Sequence, residues 1–145
     1  MMALDIPTLR FLSALELFIL PSLLWAFLRP GREMTAMRLW IIAGFVMAVG
    51  NLLLLQSNVL IFPGKDLLIR LVFVSHLVLR IQSLRLDLGM PLEKASLALG
   101  YLAYVGLHEA VRSFAEGPRG LLIMTSTVTT ALTGYLVGLA WRIAQ

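Results

Sequence analysis

The sequence predicts an all-α integral membrane fold: one domain over 1–145, built as a bundle of about five antiparallel transmembrane helices. Three observations predict it. Of the 145 residues, 59% are hydrophobic and only 14% charged, with a mean hydropathy of +0.89, whereas a soluble domain carries about a quarter charged residues. Five apolar stretches approach the roughly 20 residues a bilayer crossing needs. Every connection between them is short, which makes sequential helices antiparallel neighbours. A water-exposed fold of this size leaves too much of its surface wet to hide so many apolar side chains.

The first span is expected over about 8–28, closed by the charged breaker Arg29-Pro30-Gly31-Arg32. The opening residues lack the basic stretch and small-residue cleavage site of a secretory signal, so this helix is expected to be retained. The second span covers about 39–56, and Pro63-Gly64 marks the turn that follows it. The third, about 66–84, contains Arg70, His76 and Arg80, so a helix lying flat in the membrane interface is its alternative. Its long aliphatic runs and the short loops on either side favour a crossing. Gly89-Met90-Pro91 leads to the fourth span, about 92–111, and Glu116-Gly117-Pro118-Arg119-Gly120 to the fifth, about 121–140. No internal repeat or low-complexity tract is visible.

Composition also bounds the chemistry. The chain has no cysteine, which removes disulfides, thiolate metal sites and thiol nucleophiles. Its net charge of +4 comes from basic residues scattered singly between apolar stretches. That is the pattern of anchors beside lipid headgroups, not of a nucleic-acid surface. Trp25, Trp40 and Trp141 fall on the side of the first loop and the C-terminus, as do Arg29, Arg32, Arg38, Arg85, Lys94 and Arg142. Arg10, Lys65, Arg112 and Arg119 fall on the other. The bias places the N-terminus outside and the C-terminus in the cytoplasm.

Ionisable groups within a membrane are costly and mark function by default. Glu16, Asn51 and His76 each come within roughly 5 Å of the midplane at 1.5 Å per residue, and Arg80 follows one turn after His76. These four residues form a candidate intramembrane cluster, with the Glu16 carboxylate accepting from His76 or Arg80. The competing reading is a structural pin of about 0.6 to 2 kcal/mol per contact. His76, Arg80, Ser83 and Asp87 share one helical stripe, expected to face the bundle interior. Arg85 points away and snorkels.

In the fifth span Ser126, Thr130, Gly134 and Gly138 recur every four residues. Such a stripe lets helix backbones approach closely, within one chain or between two. Gly44 and Ala48, followed by Asn51, repeat the device in the second span. Thr125, Thr127, Thr129 and Thr133 can bond their own helix carbonyls. His76 and His108 raise a weak alternative of haem ligation, but His108 lies roughly 9 Å above the midplane by the same rise and His76 is central. With Glu109 and Arg112 close by, His108 reads as interfacial. No resident cofactor or metal is expected, and no esterase, zinc-protease or phosphate-loop motif occurs. Pro21 reads as a packing kink in the first span.

Several stretches together resemble the N-terminal multi-helix membrane regions of bacterial GGDEF diguanylate cyclases. They are Asp5-x-Pro7-Thr8-Leu9, Arg29-Pro30-Gly31-Arg32, Arg38-Leu39-Trp40-x-x-x-Gly44, Leu79-Arg80-x-x-x-Leu84-Arg85 and Trp141-Arg142-Ile143-Ala144-Gln145. The resemblance covers most of the chain through loose motifs and carries over no ligand-binding residue. It implies the bacterial inner membrane, a cytoplasmic C-terminus feeding a signalling helix, and homodimerisation. The 145 residues contain no GGDEF catalytic segment, so the implied part is the sensing and anchoring one. The expected function is accordingly a non-catalytic membrane sensory, anchoring and dimerisation domain. The alternatives are an accessory structural subunit of a larger membrane complex, and a small haem-binding or transport protein.

Overall fold

The computed structural model of the chain describes residues 6–28, 34–59, 61–114 and 118–145. Asp5, the Arg29-Pro30-Gly31-Arg32 breaker and Glu116-Gly117 lie outside the described residues. Five α-helices follow in order: α1 (Ile6–Leu28), α2 (Thr35–Leu55), α3 (Lys65–Asp87), α4 (Lys94–Phe114) and α5 (Pro118–Ile143). Among the described residues there is no strand.

Each helix stands where an apolar run stood, with ends displaced by a few residues. The displacements have local causes. Proline suits a first helical turn because its missing N–H has no intrahelical partner there, and α5 begins at Pro118 rather than at the first leucine. Gly89, with φ of 72°, closes α3. Its N–H reaches the Leu86 carbonyl at 2.9 Å and the Met90 N–H reaches that of Arg85 at 2.8 Å. This is the paired-bond termination that a left-handed residue permits.

Four of the five helices are long and apolar enough to cross a membrane: α1, α2, α3 and α5. Of the five expected spans α4 is the one that falls outside this measure, rather than the charge-bearing α3. The uncharged stretch of α4 runs over 95–107, with Ser96 inside it, before His108 and Glu109 follow. At 1.5 Å per residue that is roughly 20 Å, short of a hydrocarbon core about 30 Å thick. Yet α4 buries Tyr104 and His108 while exposing Leu99 and Leu102. Polar groups inside and aliphatic groups outside is the reverse of a water-facing helix.

The chain divides into two compact units, 1–83 and 84–145, with the division in the last turns of α3. In the first unit α1 packs along α2. The Pro21 ring lies directly over Gly44, where a Cβ would collide with it. Phe18 meets Phe45 edge-on, with centroids 5.3 Å apart. Gly50 admits Val72 and Phe73 of α3. Ala43 and Ala48 of α2 are buried, as are Ile69 and Leu77 of α3. Small residues on α2 thus let its neighbours approach closely. In the second unit α4 and α5 bury Tyr104, His108, Leu121, Met124 and Leu139.

Candidate functional site

In the first unit the polar side chains of α3 converge on the start of α2. The Arg80 guanidinium carbon lies 4.6 Å from the centroid of the Trp40 ring, a cation over an aromatic face. One turn on, the Ser83 hydroxyl donates to the Ala36 carbonyl at 2.6 Å. Gln82 is buried between these positions in sequence, and its Oε1 has no partner; neither has the buried Arg80 Nε. At the other end of the helix pair, Lys65 Nζ donates to the Ser57 carbonyl at 2.8 Å. The result is a polar latch, fully paired at Ser83 and incompletely paired at Arg80 and Gln82.

The four residues expected to form an intramembrane cluster do not bond to one another. Glu16 is exposed on α1 and makes no hydrogen bond or ion pair with any described residue. Asn51 donates to the Met47 carbonyl of its own helix at 3.0 Å. His76 Nδ1 lies 2.6 Å from the Phe73 carbonyl. A carbonyl only accepts, so Nδ1 carries the proton. Arg80 turns to Trp40. Of the predicted stripe, Ser83 is buried and His76 and Arg80 half-buried, while Asp87 is exposed.

Three features escaped the sequence reading. Trp40 looked like a belt residue, yet it is the platform for Arg80. Gln82 sits off the predicted stripe and is nevertheless buried. Arg85, expected to snorkel, instead reaches Glu93 Oε1 at 2.8 Å and ties the end of α3 to the residues before α4. This bond from Arg85, with a second from Ser96, holds the Glu93 carboxyl below its usual range. The eight-residue spacing of Arg85 and Glu93 around Gly89 was the available signal.

In the second unit His108 is only 2% exposed, where the sequence suggested an interfacial position. Its Nδ1 lies 3.3 Å from Glu109 Oε1, and Glu109 Oε2 holds Arg112 at 2.7 Å. His108 Nε2 and the Tyr104 hydroxyl are buried without partners. The two histidines of the haem alternative belong to different units. Among the described residues no group of three or more His, Cys, Asp or Glu is placed to hold a metal ion.

On α5 the stripe Ser126, Thr130, Gly134 and Gly138 is exposed throughout. Nothing lies within 4 Å of where a Cβ would stand on either glycine. Thr125, Thr127 and Thr129 donate to Leu121, Ile123 and Thr125 carbonyls at 2.8 to 2.9 Å, so these hydroxyls are satisfied within the helix. Set against known protein families, curated proteins and solved structures, the chain finds no match.

Proposed function

We propose that the chain is a non-catalytic sensory, anchoring and homodimerising domain of a bacterial signalling protein. It resides in the inner membrane and crosses it five times, with the N-terminus outside and the C-terminus cytoplasmic. The observation that carries this reading is the α2–α3 latch. A buried polar network that is only partly paired costs free energy compared with one fully paired or fully apolar. Arg80 and Gln82 hold unpaired atoms beside the well-made Ser83 contact. A second packing of α3 against α2 that pairs those atoms would be the two-state element that a signal needs to bias. The loose resemblance to GGDEF membrane regions points the same way.

The test is a reporter enzyme that works only as a cytoplasmic dimer, fused after Gln145. The wild-type fusion is expected to be active, and Arg80→Ala or His76→Ala to change its output more than Leu99→Ala on the exposed face of α4. An inactive fusion in membranes that contain the protein, or equal output from all variants, refutes the proposal.

An accessory subunit of a larger membrane complex is the second reading. The exposed aliphatic face of α4 and α5, with Leu99, Leu102, Leu122 and Ile123, favours it. Purification in mild detergent separates the two, because a stoichiometric assembly with other chains supports this one.

A further inference from the structure

The latch holds one charge without a counter-charge. Ala36 and Trp40 stand one turn apart on α2 and meet Ser83 and Arg80, one turn apart on the antiparallel α3. The Ser83 rung is closed by its 2.6 Å hydrogen bond. The Arg80 rung is open. Its guanidinium carbon rests 4.6 Å from the Trp40 centroid, which steadies the charge but supplies no oxygen acceptor, and Nε is buried without a partner. Among the described residues ion pairs are made by Arg85, His108 and Arg112, and none by Arg80. The described acidic residues of the first unit are Glu16 and Asp66. Asp66 stands roughly 21 Å from Arg80 along α3 at 1.5 Å per residue. Glu16 lies on the side of α1 opposite the buried Ala14 and Pro21.

Trp40 stands roughly 8 Å inside the first residue of α2 at 1.5 Å per residue, near the level where tryptophan meets lipid headgroups. An arginine within a membrane is costly unless paired, and its long side chain carries the charged head towards the interface. Arg80 is half-buried, with Nε enclosed and the end of its fork within reach. That planar fork matches a phosphate through two parallel N–H bonds. The first turn of α2 holds no acidic residue and its N-cap Met34 makes no side-chain bond, so the positive end of this helix adds to the attraction for an anion. We infer that Arg80, seated on Trp40, binds the phosphate of an anionic phospholipid in the leaflet at the start of α2. The inference rests on the latch as the element a signal biases, and it names the ligand that biases it. A headgroup of net negative charge fits better than a zwitterionic one, because it brings no ammonium of its own to compete with the guanidinium. A lipid phosphate is already held at this depth, whereas a free anion must leave water to reach it.

Tryptophan fluorescence tests this directly. Trp25→Phe with Trp141→Phe leaves Trp40 as the single tryptophan, and the full chain is reconstituted in phosphatidylcholine vesicles. Brominated phosphatidylglycerol is expected to quench Trp40 several-fold more than brominated phosphatidylcholine at the same mole fraction. Arg80→Gln should abolish the preference and Arg80→Lys, which keeps the charge, should retain part of it. Arg38→Gln, on the opposite side of α2 from Ala36 and Trp40, should leave it intact. Circular dichroism checks that each variant stays helical. Equal quenching by the two lipids, a preference that survives Arg80→Gln, or one lost equally in Arg38→Gln overturns the inference. Loss of the preference in inorganic phosphate, but not in chloride of equal ionic strength, assigns the site to a free anion and overturns the lipid. The measurement needs no reporter fusion, so the two readings fail separately. A lipid preference beside a reporter indifferent to Arg80→Ala keeps the site and removes the switch. A responsive reporter without the preference removes the site and keeps the switch.

Discussion

Replacing Gly44 by alanine tests the packing of α1 on α2 with one methyl group. The Pro21 ring occupies the space that the new Cβ requires. A ring closed onto the backbone has no rotamer to swing into, so α1 must move away from α2. Overpacking of this kind costs about 1 to 3 kcal/mol. Against it stands the helix preference of alanine over glycine, about 0.8 to 1 kcal/mol. Gly134→Ala isolates that second effect, because nothing lies within 4 Å of its Cβ position. The propensity gain is common to both variants and cancels in the comparison. Gly44→Ala should therefore be less stable than Gly134→Ala by about 1 to 3 kcal/mol, the overpacking cost itself. Reversible unfolding in mixed micelles with increasing denaturing detergent, followed by circular dichroism, measures both. Pro21→Ala should relieve the clash, so the Pro21→Ala and Gly44→Ala pair should be more stable than the sum of the single changes. Equal stability of the two glycine variants, or strict additivity of the pair, would refute this account of the α1–α2 contact.

The latch makes separate claims. Ser83→Ala should destabilise by about 1 kcal/mol through loss of the bond to the Ala36 carbonyl, and Trp40→Ala by about 0.5 to 2 kcal/mol through loss of the cation–π contact, both read in the same unfolding assay. Trp40→Phe should retain part of the latter. The Glu93 carboxyl, held low by Arg85, should titrate below an ordinary glutamate when followed by carbon NMR, and Arg85→Met should raise its midpoint. Because its folded value is depressed, the tether it forms is present above the unfolded glutamate pKa and is lost as pH falls through the lowered folded value. Five crossings place the two ends of the chain on opposite sides, so cysteines added at each end should react with a membrane-impermeant maleimide from opposite faces. Labelling from one face only would make α4 a helix that does not cross.

Depth along a helix is legible in the amino-acid sequence, because a fixed rise per residue converts position into height. That is why Glu16, Asn51 and His76 can be set level with one another from their numbers alone. Rotation about the helix axis is legible only relative to the same helix. The direction of a neighbour depends on which small residues let helices close together, here Gly44 beneath Pro21 and Gly50 beside Val72. With those contacts setting the angles, Asn51 and His76 bond their own helices and Glu16 faces outward. The weakness of α4 as a span is also present in the residues, but only a strict count of its uncharged run exposes it.

By itself the sequence determined that the chain is helical, where its five helices lie, and that most of their surface is suited to hydrocarbon. Apolar run length, proline and glycine are local properties, and they act on the backbone wherever the helix is packed. Tertiary structure alone decided that Arg80 rests on Trp40, that Ser83 bonds the start of α2, that Gln82 and His108 are buried, and that the stripe of α5 stays open. Such pairings join residues far apart in the chain. Their geometry follows from how close each pair of backbones can come.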